Sequence, residues 1–142
     1  SGALATGEGL LAARAMGADL GYMGSAFIAT REANAVPGYK DMIVSGGADD
    51  IVTSSLFTGV SGNYLRPSIE AAGLDPDNLP SADASSMNFG SGSSKPKAWK
   101  EIWGAGQGIG AVKEIGGAAD LVDRIEAEYR AAGARLAAKF AQ

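Results

Sequence analysis

The 142-residue chain contains no cysteine and no histidine. The first absence excludes disulfides, thiolate nucleophiles and cysteine-based metal sites. The second removes the side chain most often used as a general base near neutral pH. Chemistry therefore falls to carboxylates, lysine, tyrosine, a bound cofactor or residues on another chain. Positive charge is also short: 12 Lys and Arg stand against 16 Asp and Glu, giving a net charge of -4 and a pI near 4.7. No basic cluster is available to follow a phosphate backbone, which argues against a nucleic-acid partner. No apolar run approaches the length of a membrane span. Ser1 is not followed by the basic and apolar regions of a signal peptide. These features predict a cytoplasmic protein with no membrane partner and no metal.

What the chain has in quantity is glycine, 21 residues without a repeating period. Many tight turns or close backbone approaches are expected. The length suits one compact domain with a real core. The first unit is well defined. "SGALATG" reads as a turn, and "EGLLAARAMG" as a helix with Thr6 as N-cap, Glu8 at its positive end and Gly17 as its stop. "ADLGYMGS" reads as a short buried strand closing on Gly24-Ser25. Turn, helix, strand and another Gly-Ser turn form the repeating unit of a parallel α/β fold.

Further on, Thr30 to Val44 is helical in pattern, with Pro37-Gly38 splitting it into two pieces. "DIVTSSLFTG" has the β-branched density of a strand, and "RPSIEAAG" makes a short helix with Pro67 in its first turn and Gly73 at its end. Residues 74 to 97 are rich in Pro, Ser, Asp and Gly and read as a long irregular segment. The last helix, from Ala118 to about Phe140, sets Leu121, Val122, Ile125, Tyr129, Leu136 and Phe140 on one face. Asp120 with Arg124, and Glu126 with Arg130, supply i,i+4 pairs on the other. The organisation expected is residues 1–48 as βα units with glycine-rich turns, 49–117 as an extension with a strand, a short helix and a long irregular loop, and 118–142 as an amphipathic helix.

Three glycine turns carry the chemistry: Gly2-Ala3 with Gly7 and Gly9, Gly24-Ser25, and "GAGQGIG" from Gly104 to Gly110. Without a Cβ, backbone N–H groups approach an anion closely, and a helix start adds partial positive charge. Two such turns on adjacent parallel strands face the same side, where α/β barrels hold phosphates. Glycines between strand and helix are also routine turn chemistry, so one turn alone decides nothing. Gly104, Gly106 and Gly108 do not match the dinucleotide fingerprint, and no acidic residue follows on a later strand end. Trp99 and Trp103 read as packing residues, and Arg66 as a structural pairing group. Asp49 and Asp50 read as solvated, and Asp75, Asp77 and Asp83 as turn residues. No carboxylate pair is placed for acid–base work, so no catalytic residue is assigned.

The run "SGALATGEGLLAARAMGADLGYMGSAFIATREANA" resembles the C-terminal barrel segment of the nitronate monooxygenases, FMN-dependent enzymes formerly called 2-nitropropane dioxygenases. "EANA", "FTG" and "AGQG" continue the resemblance in order over essentially the whole chain. FMN-dependent enoyl-acyl-carrier-protein reductases share much of the pattern. The resemblance implies the C-terminal part of a (β/α)8 TIM barrel with FMN as cofactor. It places backbone N–H groups of Gly2 and Ala3 on the FMN phosphate, adds Gly24 and Ser25 to the cradle, and brings Gly106 and Gln107 to the flavin edge. Ser25 stands where the family commonly has Thr, and keeps the hydroxyl. The activity implied is oxidation of an alkyl nitronate with O2 to a carbonyl compound and nitrite, by one-electron transfer through the flavin. A complete barrel takes about 250 residues. The family's catalytic histidine lies upstream of this region, so the partners implied are the N-terminal barrel half or a partner chain, and a nitronate or enoyl substrate. A non-catalytic flavin-binding or assembly subunit uses the same features.

Overall fold

A computed structural model of the chain describes residues 3–81 and 101–141. Helix α1 (Gly7–Ala15) begins as its sequence dictates: Thr6 is extended, and its Oγ1 accepts from Gly9 N–H at 3.2 Å. It ends on Gly17 at φ 98°, with Gly17 N–H donating to Arg14 O and Ala18 N–H to Ala13 O. This paired closure suits the one residue type without a Cβ penalty at that φ. The same closure recurs where α4 (Arg66–Ala71) ends on Gly73 at φ 80°.

The segment after α1 departs from expectation. Residues 18–24 form no strand, and Leu20 and Tyr22 are 88% and 72% exposed. A strand exists only in a ladder, and no described segment lies beside this one to accept or donate. α2 (Ser25–Ile28) follows directly. The expected helix over 30–44 is a single one, α3 (Pro37–Ser45), with Pro37 in its first turn. Val36 sits at ψ 149° because the residue before a proline is pushed out of the helical region. Thr30 to Val36 is accordingly a turn rather than a first helical piece.

The one sheet among the described residues is antiparallel and lies in the expected extension: β1 (Ile51–Ser54) pairs with β2 (Gly62–Leu65) in the register Ile51 to Leu65 and Ser54 to Gly62. On the far edge of β2, Leu65 N–H donates to Trp103 O and Ala105 N–H to Asn63 O. The segment entering the third glycine turn is thereby fixed to the sheet. Trp103 stacks on Tyr39 at 5.1 Å, and Tyr39 OH donates to Gly104 O. Trp99, Asp83 and the rest of residues 82–100 lie outside the described residues.

The last helix, α5 (Ala118–Phe140), has the expected bounds. Leu121 and Ile125 are buried and Tyr129 half-buried, whereas Val122, Leu136 and Phe140 are exposed. The nine-residue α1 packs along part of α5, and Leu121 near the helix start faces Ala26 and Ala29 of the α2 region. Arg130 pairs with Glu126 as the spacing suggests, but Asp120 turns to Arg31 and Arg124 to Glu128. Arg66 makes a two-pronged pair with Asp77, the structural role expected of it. Asp50 accepts from Gly47 N–H at 2.8 Å rather than being wholly solvated. One cluster of buried apolar residues runs from Ala5 and Ala26 through Ile43, Leu65 and Ile109 to Leu121 and Ile125. Each fully buried Ile or Leu in it contributes about 1.5–3 kcal/mol. No helix among the described residues is long and apolar enough to cross a membrane.

Candidate cofactor site

The three glycine turns, distant in sequence, meet in space. Gly106 N–H donates to Ser25 Oγ at 2.8 Å, joining the third turn to the second. A Cβ on Gly108 would lie 2.8 Å from Ala3 O and 2.9 Å from Ala3 C, so the third turn lies backbone to backbone against the first. Ala3, Ser25 and Gly106 are thus held as one group by the short 3-10 helix Gln107–Ala111, whose Ile109 is fully buried. Gln107 is exposed at the start of that helix. Gly2 lies outside the described residues.

Each member offers different chemistry. Ser25 Oγ accepts from Gly106, which leaves its own hydrogen to be donated elsewhere. No described group accepts from the N–H groups of Ser25 and Ala26. Gly24 is exposed, at φ -113°, and a Cβ there would meet only Tyr22 Cε1, at 4.0 Å. The backbone of this turn is therefore open to a ligand, and its conformation does not itself require glycine. None of Ala3–Thr6, Gly24–Ala26 and Gly104–Gly110 contains a Lys or Arg. The donors these three segments offer an anion are neutral ones.

The start of α1 behaves differently from the sequence expectation. Gly7 N–H donates to Glu128 Oε2 at 2.8 Å, and Gly9 N–H to Thr6 Oγ1. These two amides are taken by the protein and are not free to meet an anion. The Glu8 carboxyl is held below its ordinary range by its own backbone N–H and then by Arg135, with which it pairs at 3.2 Å.

Several residues that shape this region escaped sequence reasoning. Lys40 is buried, with Nζ donating to Thr30 O at 2.6 Å and Arg31 O at 3.4 Å, closing the segment that leaves α2. The available signal was its three-residue spacing from Ile43 on α3. Burial raises the Tyr39 pKa, consistent with a hydroxyl that donates to Gly104 O. A cavity of about 170 Å3 lies at the other end of α2, between Ala29, Thr30, Lys113, Gly117 and Leu121. Of the three turns it touches only Ala26. No group of metal-ligating side chains occurs among the described residues.

Known proteins place this geometry in context. FabK from Thermotoga maritima superposes with a TM-score of 0.68 at 22% identity, over 97% of this chain and 45% of that one. Nitroalkane oxidase from Streptomyces ansochromogenes superposes at 0.63 with 23% identity, over 95% of this chain and 40% of that one. The chain shares their fold and spans less than half of their length. No curated protein matches the sequence. The family model described as nitronate monooxygenase matches residues 1–128. With nine-tenths of its residues inside that match, the chain belongs to the nitronate monooxygenase family.

Proposed function

We propose that the chain is the phosphate-holding portion of an FMN-dependent nitronate monooxygenase built as a (β/α)8 barrel, the rest of which lies outside these 142 residues. The observation that carries this reading is the convergence of the three turns through the Ser25–Gly106 hydrogen bond and the Gly108–Ala3 contact. Backbone N–H groups of Gly2, Ala3, Gly24 and Ser25 bind the phosphate, and the Ser25 hydroxyl donates its remaining hydrogen to it. Gly106 and Gln107 lie toward the flavin edge. Bound FMN supplies the one-electron redox chemistry by which an alkyl nitronate and O2 yield a carbonyl compound and nitrite. The chain's own residues bind and orient; with no histidine present, the group that handles the substrate's proton comes from the remaining barrel. The space at Gly24 fits the reading, since a Cβ there would meet only Tyr22 Cε1, at 4.0 Å.

The family match over residues 1–128 favours a nitronate over an enoyl thioester as substrate. The test has two parts. Titration of FMN with the purified chain, read by flavin fluorescence, is expected to show saturable quenching. Reconstitution with the remaining barrel is expected to give O2 consumption and nitrite from an alkyl nitronate. Binding without turnover of a nitronate, but with reduction of an enoyl thioester, would assign the reductase activity instead. Binding with neither activity would make the chain a flavin-binding subunit.

A further inference from the structure

Glu128 stands on α5, 121 residues from Gly7, yet its Oε2 is 2.8 Å from the Gly7 N–H that opens α1. The approach is possible because Gly7 has no side chain. A Cβ there would lie 2.2 Å from Ile125 O and 2.3 Å from Tyr129 N, both backbone atoms of α5. Arg124 holds the other carboxylate oxygen, Oε1, at 3.1 Å, so the carboxylate is fixed from both sides. Thr6 occupies Gly9 N–H in the same turn. The first amides of a helix, with the partial positive charge behind them, are where an external anion settles. Here the chain has put its own anion there.

We propose that Glu128 is a positioning residue that closes the start of α1 to external phosphate, so that a phosphate reaching this region is confined to the turns and cannot slide onto the helix. The inference rests on the α1–α5 contact and not on the identity of the cofactor. A chain that failed to bind FMN would leave it untouched.

The test uses the 15N-labelled full chain titrated with inorganic phosphate against matched sodium chloride, read at the Gly7 backbone amide. In the wild type no saturable shift is expected at Gly7. Glu128→Ala removes the internal anion and is expected to produce one, whereas Glu128→Gln keeps an acceptor oxygen in place and is expected to stay closed. Glu128→Val, which has no acceptor, carries the same arm should the alanine variant fail to fold. A saturable Gly7 shift in the wild type, or a folded Ala or Val variant without one, would overturn the proposal. A purely structural Glu128 predicts altered stability but no phosphate response at Gly7. Shifts at Ser25 and Ala26 in the same titration report on the cradle separately.

Discussion

Ser25 and Gly106 are 81 residues apart and share one hydrogen bond, 2.8 Å long, that ties the second glycine turn to the third. Gly106 N–H is only partly accessible to water, so deleting its acceptor leaves a donor poorly satisfied. Ser25→Ala is expected to cost about 1–3 kcal/mol of stability and to weaken FMN retention, because the hydroxyl offered to the phosphate goes with it. Ser25→Thr keeps the oxygen and is expected to preserve both. Thermal unfolding by circular dichroism, with FMN titration alongside, separates the two losses. An alanine variant matching the wild type in both would remove the bond from the argument.

Three glycines that look alike in sequence are expected to respond differently to a side chain. Gly24→Val projects into open space, so unfolding free energy should change by less than about 1 kcal/mol while FMN affinity falls. Gly108→Ala meets the Ala3 backbone at 2.8 Å, and Gly7→Ala meets the α5 backbone at 2.2 Å. Neither neighbour is a flexible side-chain tip, so each variant should lose about 1–3 kcal/mol or more. Denaturant unfolding of the three variants checks the order. Equal losses at all three would mean that Gly24 is an ordinary turn residue.

These contrasts mark how far the sequence was legible. Local chemistry was readable: Thr6, Gly17, Pro67 and Gly73 each act within a few residues of themselves, and α1 and α4 begin and end close to where those residues indicate. The strand expected over 18–25 was not, because pairing depends on a neighbour absent from the described residues. Of the candidate site, Ser25 and Gly106 were singled out as members of separate turns, and their contact was not visible. Gly108 was read only as a member of the third turn and Glu128 gave no local signal, since each matters through a backbone brought near it by the fold. The pairing of Asp120 with Arg31 rather than Arg124 has the same origin: a helix spacing offers a partner, and the tertiary structure supplied another.

The core beneath the third turn offers a stability test independent of any ligand. Ile109 is fully buried inside the 3-10 helix Gln107–Ala111, in the same cluster as Ile43 and Leu65. Ile109→Ala is expected to cost about 2–5 kcal/mol through lost burial and the cavity left behind. The same loss frees Gly106 and Gln107 to move, so FMN retention should fall with it. Ile109→Val, expected to cost about 0.5–1.5 kcal/mol, should restore most of both. Denaturant unfolding and flavin fluorescence measured together would expose any uncoupling of the core from the cradle.

Acid provides the last test. Glu32 is held below its ordinary value of 4.5 by its own backbone N–H and then by Ala118 N–H at the start of α5. Asp77 is held below 3.8 by its hydrogen bonds to Arg66, and Asp75 below the same value by Asn78 and the Asp77 N–H. A carboxyl whose folded pKa is depressed binds protons more readily when unfolded. Its contribution to stability is therefore complete above the unfolded value and is lost as pH falls through the folded one. All these groups are exposed, so each effect is small and weakened by salt. The midpoint of thermal unfolding is expected to hold steady from pH 7 to about 5 and to decline below about 4.5, less steeply at high salt. Glu32→Gln should flatten the upper part of that decline and Asp77→Asn the lower part, because the two carboxyls start from different ordinary values. A decline unchanged in both variants would shift the acid sensitivity away from the α5 start and the Arg66 pair.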